Sequence, residues 1–172
     1  MVETPAPAPA PAAKPITVGD LQQVADSYHV PMSEATIKKI ADESGGITPE
    51  KARAFVQYIQ TAAEGLYPTL APQIKAGIPT AYLLDPYRQI AKQKLGDQYE
   101  PNFQSNPADT AALTGGFDPQ TGRPAPMTLT QWKQHIMSEP SFGWDKTPEA
   151  HQMMARVADQ LNQGLSGQAA PQ

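Results

Sequence analysis

The sequence predicts a mainly α-helical protein: a small bundle of short helices, a long irregular arm and two C-terminal helices. Three observations carry that expectation. Apolar residues recur three and four positions apart in residues 17–95 and 128–163. Hydroxyl or carboxylate start signals stand ahead of most of these runs. No segment alternates apolar with polar residues long enough to defend as a strand.

Residues 1–16 open the chain as a Pro/Ala-rich leader, which favours a semi-rigid polyproline II spacer with nothing to bury. Residues 17–95 follow as the helical bundle. Thr17 with Asp20 has the spacing of a capping box, and Leu21, Val24, Ala25 and Tyr28 then fall on one helical face until Pro31. Ser33 caps the next helix, with Ile37, Ile40 and Ala41 inward and Gly45-Gly46 as its stop. Thr48-Pro49-Glu50 opens a third helix with a hydroxyl cap, a proline in the first turn and a carboxylate near the positive end of the dipole. Its inward face reads Ala52, Phe55, Val56, Ile59, Ala63 and Leu66. A short proline-bounded helix ends at Gly77. Thr80 then starts one carrying Leu83, Leu84, Tyr87, Ile90, Ala91 and Leu95, which Pro86 should kink or split at Asp85.

Residues 96–127 hold Asn-Pro, Thr-Gly-Gly, Asp-Pro and Arg-Pro-Ala-Pro, a density of turn signals that predicts an extended irregular arm. A connection of that length without structure of its own marks a segment that lies on something else. Residues 128–163 form the two-helix C-terminal segment. Thr128 to Gln131 starts one helix with Leu129, Trp132 and Ile136 inward. Thr147-Pro148-Glu149 starts the other, with Ala150, Met153, Met154, Val157, Ala158 and Leu161 inward and Gly164 as stop. Residues 164–172 are a small, polar tail, expected to be flexible.

Composition removes several functions. The net charge of −4 comes without any Lys/Arg run that would track a phosphate backbone, so no direct nucleic-acid binding is expected. With no cysteine, disulfides and thiolate chemistry are excluded. No apolar stretch reaches the roughly 20 residues of a membrane span, and the N-terminus has no apolar signal core, so a soluble chain is expected.

Catalytic candidates each meet a plainer alternative. His29, His135 and His151 fall on three different predicted helices without metal-ligand spacing, so no metal is expected. Ser138 and Ser141 stand near His135, but no Gly-x-Ser-x-Gly elbow accompanies them. Glu64 is the obvious acid for glycoside cleavage, yet it shares the polar stripe of Glu50, Arg53, Gln57 and Gln60, where a solvated carboxylate belongs. Thr114-Gly115-Gly116 and Glu43-Ser44-Gly45-Gly46 lack the lysine and spacing of a phosphate loop. The reading therefore assigns no catalytic, metal or cofactor-binding residue and no cofactor. Aromatic residues remain, because Trp and Tyr are over-represented at binding hot spots. The candidate partner-binding residues are Tyr67, Tyr87, Phe103, Phe117, Trp132, Phe142 and Trp144, with intramolecular packing as the alternative for Trp132 and Trp144.

Two segments resemble a known type of module. One runs from Val30-Pro31-Met32-Ser33-Glu34-Ala35-Thr36 through Gly46-Ile47-Thr48, Tyr58-Ile59-Gln60-Thr61-Ala62-Ala63, Leu66-Tyr67-Pro68 and Ile74-Lys75-Ala76-Gly77 to Asp85-Pro86-Tyr87-Arg88-Gln89-Ile90-Ala91. The other joins Pro126-Met127-Thr128-Leu129-Thr130-Gln131-Trp132 to Phe142-Gly143-Trp144-Asp145-Lys146-Thr147. Together, over about residues 20–163, they resemble a helical module of tailed-bacteriophage virion proteins, often internal or tape-measure-type proteins. The resemblance implies a non-enzymatic particle component, located in the virion and assembled in the host cytoplasm. It would bind capsid, portal, connector or tail subunits in multiple copies, through the arm and the C-terminal helices. Two other expectations stand beside it: a peptidoglycan-degrading enzyme or accessory module with Glu64 as acid, and a stand-alone helical adaptor.

Overall fold

The fold of residues 15–42 and 47–166 is described from a computed structural model. Most of the leader, the Gly45-Gly46 stop, the Glu43-Ser44-Gly45-Gly46 segment and residues 167–172 of the tail lie outside the described residues. Among the described residues the protein is mainly α-helical, with eight α-helices and one two-stranded hairpin. The chain divides into two units, Met1–Thr61 and Ala62–Gln172.

In the first unit, α1 (Val18–Ser27) begins at the expected capping box: Thr17 Oγ1 accepts from the Asp20 N–H, and Asp20 accepts from the Thr17 N–H at 2.7 Å. Those hydrogen bonds hold the Asp20 carboxyl below its ordinary pKa. α2 (Glu34–Asp42) packs on α1, and Ser33 Oγ accepts from the Thr36 N–H as its cap. α3 (Pro49–Leu66) starts where Thr48 caps the Lys51 N–H, and the unit boundary falls inside this helix. Leu21, Ala25, Tyr28, Val30, Ile37, Phe55 and Ile59 are buried. Ile40, expected inward, is exposed because α2 turns that flank to solvent.

The second unit departs more from expectation. After a 3-10 turn (Pro68–Leu70) and α4 (Ala71–Lys75), α5 (Thr80–Leu95) runs uninterrupted through Pro86. Asp85, rather than capping a second helix, accepts from Gln89 Nε2 at 2.6 Å. Residues 96–127 are not an irregular arm throughout. They contain α6 (Pro107–Thr114), capped by Asn106, and a hairpin of β1 (Gly116–Phe117) and β2 (Pro124–Ala125), paired antiparallel with Gly116 opposite Ala125.

Specific polar contacts fold this stretch. Buried Asp109 accepts from Tyr99 Oη at 2.7 Å and from the Asn102 N–H at 2.8 Å. The Met127 N–H donates to the Ala112 carbonyl at 2.7 Å, bringing the chain back against α6. Gly116 permits that closeness: a Cβ there would lie 2.4 Å from the Pro126 carbonyl oxygen. Thr114-Gly115-Gly116 is thus a structural turn, in which a Cβ on Gly115 would also strike Met127.

α7 (Leu129–Ser138) begins at the expected capping box of Thr128 and Gln131 and makes its most extensive contact with α5. The expected break after residue 95 is therefore no boundary, since α5 and α7 share one unit. Two 3-10 turns, Pro140–Phe142 and Trp144–Lys146, lead to α8 (Pro148–Ser166), which continues past the expected stop at Gly164.

Candidate functional site

The aromatic residues separate into a core and a surface. Trp132 is fully buried, and its indole N–H donates to the Tyr87 carbonyl at 3.0 Å. Around it stand Tyr87, Phe103, His135 and Phe142, with ring centroids 5.7–6.4 Å away. Tyr87 and Phe142 meet Trp132 edge to face, and such pairs add to the apolar area they bury. Tyr87 Oη donates to the Met127 carbonyl at 2.6 Å, and Tyr67 Oη accepts from Gln104 Nε2 at 2.8 Å. Burial raises the pKa of both phenols.

Three of the expected partner-binding residues are thereby corrected. Tyr67, Phe103 and Trp132 are buried and hold residues 96–127 and α7 onto the fold, so they offer no surface to a partner. Tyr87 and Phe142 are half-buried members of the same cluster. Phe117 differs, standing 69% exposed on the hairpin. Its turn is pinned by Asp118, which accepts from Thr121 Oγ1 at 2.6 Å and from the Gln120 N–H at 2.8 Å.

No catalytic arrangement forms among the candidates. Ser138 Oγ donates to the backbone carbonyl of His135, not to its ring, and His135 Nε2 lies 3.2 Å from the Ala108 carbonyl. Ser141 offers its backbone N–H to Glu139. Glu64, half-buried, lies 3.5 Å from Lys75 Nζ. Among the described residues no group of three or more His, Asp or Glu could hold a metal ion. Nor is any helix among them long and apolar enough to cross a membrane.

The sequence places the α8 helix and its apolar stripe, but the expected inward facing of that stripe is overturned. The first turn of α8 is anchored: Thr147 Oγ1 accepts from the Ala150 N–H at 3.2 Å, Ala150 is buried, and Glu149 pairs with Lys94. Beyond that turn every residue from His151 to Leu161 is exposed. Met153, Met154, Val157, Ala158 and Leu161, all expected inward, line a groove with Trp144 that is almost wholly apolar. Helical periodicity found the stripe correctly, but periodicity shows only that a face is apolar, not what covers it. Trp144 lies half-buried at the foot of the groove, and its buried indole N–H has no hydrogen-bond partner.

No known protein family, curated protein or solved structure matches this chain.

Proposed function

We propose that this chain is a non-enzymatic structural component of a tailed-phage particle, in the internal capsid, connector or tail, that docks on helical virion subunits through α8. One observation carries the docking reading: the apolar stripe of Met153, Met154, Val157 and Leu161 lies uncovered on a helix whose first turn is fixed to the fold. Exposed apolar stripes of this kind mark interaction sites, and helix-in-groove recognition uses anchors at this spacing. The hairpin bearing Phe117 is a second, smaller contact in the same reading. The particle assignment is supported by the resemblance of residues 20–163 to virion modules.

Mass spectrometry of purified particles tests the assignment. The chain should be present in wild-type particles and depleted when Val157→Asp and Leu161→Asp are combined. Its absence from wild-type particles rejects the virion role. Undiminished incorporation of the double variant rejects α8 as the docking element.

A further inference from the structure

The reading of α8 as a docking element leaves open which helix it meets. We infer that it is the α8 of a second copy of this chain, packed antiparallel. Met154, Val157 and Leu161 are spaced three and four residues apart, the seam of paired helices, and are 46–62% exposed. Small Ala158 beside this seam lets a second helix approach closely.

Charge selects the occupant. Glu149 and Arg156 are seven residues apart and so lie along the same edge of the stripe, one of each sign. A partner groove of uniform charge would repel one of them. An antiparallel copy puts Glu149 of each helix beside Arg156 of the other, while Leu161 of each reaches Trp144 at the other's foot. Glu149 already meets Lys94, but its side chain stays 47% exposed and can accept a second cation. A lipid surface fits poorly, because Arg156 is the only Lys or Arg between Pro148 and Ser166 and it stands near Asp159. The uncovered stripe, a few hundred Å² by rough estimate, is smaller than the roughly 800 Å² per partner of a standard stable interface. Pairing should therefore be reversible, with Kd on the order of micromolar to tens of micromolar, and strengthened where copies are arrayed side by side.

Sedimentation velocity on the full chain from about 1 to 500 µM tests this, with circular dichroism to verify folding. The expected result is a monomer–dimer equilibrium whose midpoint Val157→Asp moves at least tenfold higher in concentration. Arg156→Glu should also weaken pairing, by placing Glu149 against a second carboxylate. In a Glu149→Gln background, which leaves Lys94 a neutral acceptor, Arg156→Glu should weaken pairing less, the coupling expected of two residues that face each other across an antiparallel seam. A wild-type chain that stays monomeric throughout overturns the inference, as does a dimer insensitive to both Val157→Asp and Arg156→Glu. A monomer that still requires α8 to enter particles rejects self-pairing and leaves docking on other virion subunits standing. Dimers formed by a chain absent from particles do the reverse.

Discussion

Trp132 and Trp144 lie twelve positions apart and do opposite work. Trp132 is fully buried and donates its N–H to the Tyr87 carbonyl, whereas the Trp144 N–H meets no acceptor. Trp132→Phe removes a buried hydrogen bond and leaves a cavity, so it should cost about 2–4 kcal/mol. Trp144→Phe removes only an unpaired donor and should change stability by less than about 1 kcal/mol. Urea unfolding of the two variants checks both values, and equal losses would contradict the assignment of Trp132 as the centre of the core. Spacing with Leu129 and Ile136 was enough to place Trp132 inside, since two of those three are buried. Nothing local in the sequence distinguishes Trp144, whose surroundings come from α8. Tyr99 gives a second residue-level test. Burial and the neighbouring Asp109, whose carboxylate accepts its proton, both raise the Tyr99 pKa, and burial raises Tyr67 and Tyr87. Each phenol holds its proton more tightly folded than unfolded. The resulting stability is fully present below the unfolded pKa near 10 and is lost as pH climbs from there through the folded values. Unfolding midpoints should therefore be flat from about pH 8 to 9.5 and fall above about 10. Tyr99→Phe should be less stable at neutral pH, because Asp109 loses a donor, yet show a shallower alkaline decline.

Among the elements, α5 violates the ordinary rule for an interior proline. Pro86 supplies no N–H to the Tyr82 carbonyl four residues back, and Tyr82 is 74% exposed, so water can satisfy that oxygen. Contact with α7 keeps the helix continuous through the defect. Pro86→Ala should restore the missing bond and stabilise the protein by about 1–2 kcal/mol, less than the ~3 kcal/mol helix penalty because the unfolded chain also gains freedom. Thermal denaturation followed by circular dichroism measures this; a lower midpoint would mean that α7 packs specifically against a proline-shaped bend. The same competition between local signal and tertiary contact explains residues 96–127. Turn residues there were legible, and Asn106-Pro107 and Thr114-Gly115-Gly116 do bound α6 and the hairpin. The order of the stretch was not legible, because it comes from Tyr99 on Asp109, Tyr87 on Met127 and Gln104 on Tyr67, pairs separated by 10, 40 and 37 positions. Breaker density measures the absence of regular periodicity, not the absence of structure.

For the molecule as a whole, the side chains that hold the second unit together and the exposed apolar stripe of α8 lie on different surfaces. The second unit closes around Trp132, with buried side chains from α5, α6 and α7 and from Tyr67, Leu70, Ile74 and Phe103, while α8 contributes little beyond Ala150 and the Glu149–Lys94 pair. The exposed stripe of large apolar side chains on α8 is the surface on which the proposed docking rests, since exposed apolar patches invite association. Shortening the chain to end at Gln152 separates the two roles: Pro148, Glu149 and Ala150 remain, and the stripe is gone. The truncated protein should unfold cooperatively, within about 1 kcal/mol of the full chain, because exposed residues contribute little to stability. It should also sediment as a monomer at concentrations where the full chain associates. A loss of about 3 kcal/mol or more, the size expected for removing a core side chain, would place α8 within the fold and leave the stripe no role in assembly. The Trp144 fluorescence spectrum reports on the same change: losing Met153 and Met154 exposes one face of the indole, so emission should shift to the red while the buried Trp132 stays blue.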